Sequence, residues 1–135
     1  MTFPVVSIQL PQWVEAHLAK LSQPFPNVES RMGLVVELAR QNVVQKTGGP
    51  FAAAIFSHEG KLIAPGVNLV QNTNCSLFHA EIVALALAQH TLGRYDLGNN
   101  GKFSYDLVSS TEPCAMCFGA VHWSGVSRLI CGARD

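Results

Sequence analysis

His79-Ala80-Glu81, followed about thirty residues later by Pro113-Cys114-Ala115-Met116-Cys117, is the stretch on which the reading of this chain turns. One histidine nitrogen and two cysteine sulfurs are donors that zinc prefers, and a catalytic zinc site takes three protein ligands and keeps a fourth position for water. Cys114 and Cys117 stand three residues apart, so in the first turn of a helix both sulfurs project from one face toward one ion. Pro113 suits such a helix start. The unpaired N–H groups and positive dipole end of a helix N-terminus also favour the thiolate that binds metal. His79, Cys114 and Cys117 are therefore the candidate ligands of one Zn2+. Glu81 reads as a proton carrier beside the water, because a fourth protein ligand would close the site.

Taken alone, the Cys-x-x-Cys pair also fits a structural zinc half-site or a redox dithiol. Cys75 or Cys131 would then supply the fourth ligand of a closed site. Cys75 lies four residues before His79 and Cys131 lies in an apolar run, so both read better as small buried hydrophobes. The joint spacing, H-x-E followed by P-C-x-x-C, is far more specific than its parts and is the pattern of zinc deaminases. Hydrolytic deamination needs such a set. Water attacks an amidine-like ring carbon, the ring nitrogen is protonated, and the exocyclic amine leaves as ammonia after a second proton. One glutamate can serve each transfer.

The 135 residues suffice for one domain with a real core. Hydrophobic residues make up 48% and charged residues 13%, which excludes a disordered chain and implies extensive burial, some of it in a subunit interface. Nine basic and nine acidic residues balance, so the chain lacks the basic excess of a protein that tracks a phosphate backbone. The expected partner is a small heterocyclic base, with no nucleic acid and no membrane. No apolar stretch reaches spanning length, and four cysteines, two of them in the metal pattern, do not make a disulfide framework. A cytoplasmic location is expected.

Segment 1–26 reads as an N-terminal extension with a short helix over Pro11 to Leu21, set off by the proline-spaced Ser22-Gln23-Pro24-Phe25-Pro26-Asn27. Residues 27–135 form the expected zinc domain. Asn27 caps a helix carrying Met32, Val35, Val36, Ala39 and Val43 on one face, stopped by Gly48-Gly49-Pro50. Phe51 to Ser57 and Lys61 to Val70 read as a hairpin turning at Gly60. His79 to about Thr91 is apolar on nearly every side, hence a helix buried between layers. Tyr105 to Ser109 reads as a strand running into the cysteine motif, the next helix continues to about Trp123, and Ser127 to Cys131 reads as a further strand. Strands alternating with helices predict an α/β layered sheet, with both metal motifs at helix N-termini meeting at one sheet edge.

These residues resemble the cytidine deaminase-like superfamily, and within it the guanine deaminase branch, which is itself similar to the bacterial tRNA adenosine deaminases. The landmarks are Gly48-Gly49-Pro50-Phe51, Gly66-Val67-Asn68 placed eleven residues before His79, His79-Ala80-Glu81, Glu112 to Cys117, and Trp123. The resemblance implies a three-layer α/β/α fold with a mixed central sheet, one zinc per subunit, Glu81 as general acid and base, and a homodimer. It also implies that Asn68 hydrogen-bonds the substrate ring, that Phe51 packs on it, and that the backbone N–H of Ala80 faces the attacking oxygen. Asn68 also fits a plain turn residue, Phe51 a core residue, and Trp123 either the base pocket, the core or a dimer interface. Cys75-Ser76-Leu77-Phe78 stands where the tRNA enzymes carry Asp-Pro-Thr-Ala. The family's C-terminal strand and helix are expected to be missing from this sequence. The expected reaction is conversion of guanine to xanthine with release of ammonia. The alternatives are a tRNA adenosine deaminase, a cytosine or cytidine deaminase, and a zinc module without turnover.

Overall fold

The structure, a computed structural model, describes residues 1–134. The chain folds as α1 (Gln12–Leu18), α2 (Val28–Val44), β1 (Ala52–Ser57), β2 (Leu62–Val67), α3 (Val70–Thr73), α4 (Ala80–Leu92), β3 (Tyr105–Thr111), α5 (Ala115–Ser124) and β4 (Arg128–Ala133). The strands form one sheet in the order β2-β1-β3-β4. β1 is antiparallel to both β2 and β3, whereas β3 and β4 run parallel, so the sheet is mixed. Among the described residues, no helix is long and apolar enough to cross a membrane.

Period-two alternation along β1 explains the layering. Ala52, Ala54 and Phe56 face a core shared with Val14, Leu34, Val35 and Leu38 of the two N-terminal helices. Ala53 and Ile55 face the opposite core, built with Ala80, Ala84, Leu85 and Ala88 of α4 and Val121 of α5. A strand buried on both faces is what two flanking helical layers require, and the three-layer α/β/α arrangement is as expected. The N-terminal segment is part of this packing. Val14 is fully buried, with Ile8, Leu10, Trp13 and Leu18 against the same core.

Asn27 caps α2 as expected, its side chain accepting from the Ser30 N–H at 2.8 Å within a capping box. The buried face of α2 is the expected one in part: Val35 and Ala39 lie in the core and Met32 packs against it. Arg31, Leu34, Val35, Leu38, Ala39 and Asn42 point inward, while Val36 and Val43 are 52% and 49% exposed. Hydrophobic spacing misjudged the rest of the face because two polar residues lie on it. Arg31 pairs with Asp106 of β3 at 2.9 Å, where both side chains are almost fully buried, and Asn42 binds loop carbonyls described below. α2 also ends at Val44, ahead of the glycines expected to stop it.

Gly66 fixes how the sheet meets α4. A Cβ there would lie 2.2 Å from the Ala80 carbonyl oxygen and 2.5 Å from the Ala84 nitrogen, both backbone atoms. Only glycine lets β2 approach the first turn of α4 so closely, and that turn carries the histidine motif. Gly93 and Gly125 close α4 and α5 in the left-handed conformation.

Candidate active site

His79 is the N-cap residue of α4 and Cys114 the N-cap residue of α5, so the two motifs enter the site from two helix starts. Neither side chain caps its own helix. Cys117 follows one turn into α5 and is fully buried. The ligand atoms of His79, Cys114 and Cys117 all lie within 4.8 Å of one another, with Cys114 Sγ 3.6 Å from His79 Nδ1. Cys75 and Cys131 stand outside this cluster. Three donors of one nitrogen and two sulfurs match the ligand number and type of a catalytic zinc site. Burial pushes the Cys117 thiol well above its usual range, and the neighbouring charge of Glu81 adds to the shift. A bound cation reverses that balance by stabilising the thiolate. The donor set therefore fits zinc.

Glu81 sits in the first turn of α4 and is 6% exposed. Its Oε1 accepts a hydrogen bond of 3.0 Å from Ser109 Oγ on β3. Sequence reasoning missed Ser109. Alternation along β3 places Leu107, Ser109 and Thr111 on the side of α4, and a serine on that buried face was a polar signal without an apolar reason. Ser110, on the other face, accepts from the Ala52 N–H at 3.1 Å.

A cavity of about 280 Å3 opens over these groups. Phe51, Asn68, His79, Ala80, Glu81 and Cys114 line it, which brings seven of the eight expected site residues together once the adjoining Cys117 is counted. Thr111, Glu112 and Arg134 complete the wall and were not expected there. Asn68 Oδ1 accepts from the Val70 N–H at 3.2 Å, and among the described residues its Nδ2 group donates to no protein atom. The side chain thus offers the cavity a donor, held in place through its own oxygen.

Trp123 does not line this cavity. It is 85% exposed and borders a separate cleft with Ile82, Leu85, Ala86 and Gln89 of α4. Six residues beyond Cys117, it lies about 240° further round the helix at 3.6 residues per turn, about 120° away from it, so the buried cysteine and the exposed tryptophan do not share a face. Of the readings open for Trp123, the base pocket within one chain and the core are both corrected.

Comparison with known proteins agrees with this geometry. The chain matches the cytidine and deoxycytidylate deaminase zinc-binding region over residues 26–133. The guanine deaminase of Bacillus subtilis (strain 168) is 39% identical over 98 residues, which cover 73% of this chain and 59% of that protein. A tRNA-specific adenosine deaminase of Rickettsia bellii (strain RML369-C) is 36% identical over 87 residues, covering 64% of this chain and 57% of that protein. The chain therefore spans about three-fifths of the length of these curated relatives. A solved structure of guanine deaminase from Nitrosomonas europaea superposes with a TM-score of 0.89 at 45% identity, covering 100% of this chain and 74% of that one. With its histidine and cysteine donors gathered at two helix starts over a mixed sheet, the chain belongs to the cytidine and deoxycytidylate deaminase zinc-binding family.

Proposed function

We propose that this protein is a zinc-dependent hydrolase that removes the amino group of a free heterocyclic base, guanine first, giving xanthine and ammonia. The carrying observation is the buried Glu81, anchored by Ser109, in the same small cavity as the metal donors and the Asn68 amide. His79, Cys114 and Cys117 would hold the ion, which supplies Lewis acidity and lowers the pKa of a bound water toward neutrality. Glu81 takes a proton from the attacking water and gives it to the ring nitrogen next to the reacting carbon. It then carries the second proton to the departing amine, so that one water is consumed and one ammonia released. Asn68 donates to an acceptor on the ring edge, Phe51 packs on the ring face, and the Ala80 N–H steadies the attacking oxygen.

At about 280 Å3 the cavity lies just below the roughly 300–1,000 Å3 typical of ligand pockets, which suits a base more than a larger ligand. The guanine deaminases of Bacillus subtilis and Nitrosomonas europaea support guanine. One zinc per subunit accompanies this reading, in domain 27–135 preceded by extension 1–26. The exposed Phe118 and Trp123 on α5 support a homodimer as the assembly, which sedimentation tests.

The test is ammonia release by zinc-loaded protein against guanine, adenine, cytosine and their nucleosides. Guanine turnover is expected, and Glu81→Ala is expected to lower it by about 10²–10⁴-fold with zinc content unchanged. Parental turnover by that variant would remove Glu81 from its role. The similarity to tRNA adenosine deaminases supports a second reading, adenosine in RNA. Binding that weakens steeply with salt, together with no turnover of any free base, would favour it.

A further inference from the structure

The far end of α2 holds a buried polar group that the chemistry above does not use. Asn42 is fully buried in the last turn of the helix, and a buried amide is costly unless each of its groups is paired. All are paired. Asn42 Nδ2 donates to the Gly49 carbonyl oxygen at 2.9 Å and to the Asn68 carbonyl oxygen at 3.0 Å. Its Oδ1 accepts from Thr47 Oγ1 at 2.6 Å, and Thr47 Oγ1 in turn accepts from Trp13 Nε1 of α1 at 2.9 Å.

The two carbonyls bound by this amide belong to the two segments that carry the ring-facing residues. The Phe51 N–H donates to the Gly49 carbonyl at 2.8 Å, and the Asn68 N–H donates to the Phe51 carbonyl at 3.1 Å. Gly48 is packed between them, since a Cβ there would come within 2.2 Å of the Asn68 carbonyl oxygen and 2.6 Å of Asn42 Nδ2. One carboxamide therefore ties the Gly49 turn to Asn68, and so braces two segments that the Asn68–Phe51 backbone bond already joins. Asn42, Thr47 and Trp13 do not themselves line the cavity. The metal donors and Glu81 hang instead on α4, α5 and β3.

We propose that Asn42 is a positioning residue for the ring-binding wall of the cavity, and that Thr47 and Trp13 extend this brace to the N-terminal helix. This inference rests on the deaminase reading, because the wall matters only if a ring binds there. Misplacing a binding group by about 1 Å can cost up to about 10²-fold. The brace reaches ring-holding groups and not the proton carrier, so its loss falls on KM more than on kcat. A purely structural role has another signature. It lowers thermal stability and the active fraction, hence apparent kcat, and leaves KM in place.

The experiment compares steady-state kinetics of the zinc-loaded parent with Thr47→Val, Trp13→Phe and Asn42→Ala on the base that the parent turns over. Thr47→Val keeps shape while removing one hydroxyl, and Trp13→Phe removes the indole N–H together with part of the ring, so both serve even if Asn42→Ala fails to fold. A rise in KM of about tenfold for Thr47→Val, a smaller rise for Trp13→Phe, kcat within about twofold, and recovery of the parental KM in Thr47→Ser are expected. An unchanged KM in folded, zinc-loaded Thr47→Val and Trp13→Phe would overturn the brace while leaving the deaminase reading intact. Silence of the parent on every base would overturn that reading itself, and the inference with it.

Discussion

Ser109 illustrates how a single hydroxyl can matter to a carboxyl proposed as the proton carrier. In the proposed reaction Glu81 has to stand in one rotamer to reach both the attacking water and the ring, and Ser109 Oγ donates to its Oε1 at 3.0 Å. A hydrogen bond to a charged group contributes about 1.5–3 kcal/mol. Ser109→Ala is therefore expected to lower kcat by roughly tenfold or more, with KM nearly unchanged. An unaltered kcat would show that Glu81 is oriented by its own packing. That His79, Glu81, Cys114 and Cys117 would meet in one site was legible in the sequence, because the proposed chemistry demands particular residue types at particular spacings. Ser109 was not, because a serine in a strand has many ordinary uses and only the folded register shows which side chain it meets. Trp123 went astray for a related reason. A landmark shared with a family carries no information about the face of the helix from which it projects.

At the level of elements, the expected helices and strands all form, with ends displaced by a few residues, and the short α3 was not anticipated. The α2 face is the instructive partial miss, with Met32, Val35 and Ala39 placed rightly and Val36 and Val43 not. Apolar periodicity ranks Arg31 and Asn42 as surface residues, yet each is buried with partners that lie far away in sequence. Arg31 joins α2 to the sheet through Asp106, and its guanidinium also donates to the Phe25 and His58 carbonyls. Arg128 of β4 reaches the same carboxyl at 2.6 Å, but from a side chain 54% exposed, so solvent weakens its share. Removing one partner of a buried pair leaves the other charge without compensation, at a cost of about 3–5 kcal/mol. Asp106→Ala is expected to lose that much in denaturant unfolding. A loss below about 1 kcal/mol would mean that the backbone carbonyls alone satisfy Arg31.

For the whole molecule, stability, metal and pH are linked. His79 and Cys114 begin two different helices, so an ion held between them ties those elements together, and any ligand confined to the native state raises the unfolding temperature. The Cys117 thiol, pushed upward by burial, keeps its proton near neutrality without metal. Zinc binding must expel that proton, so higher pH favours the bound form. The gap in melting temperature between zinc-loaded and chelated protein is expected to widen from about pH 6 to about pH 8. A gap that stays constant would show that no proton leaves on binding. The layered fold was readable because alternating strands and helices admit few arrangements. The antiparallel pairing of β1 with β2 was readable as a hairpin, whereas that of β1 with β3 was not, since those partners are chosen by contacts distant in sequence.

The sheet that keeps the two cores apart also divides the molecule for anyone who wishes to redesign it. Changes on the side of α1 and α2 can be chosen for robustness, with the Asn42 network as the stretch to leave alone. The side of α4 and α5 has less latitude. There the packing that holds the chain together is the same packing that aims the metal donors and Glu81, so selection for function and selection for durability act on the same atoms.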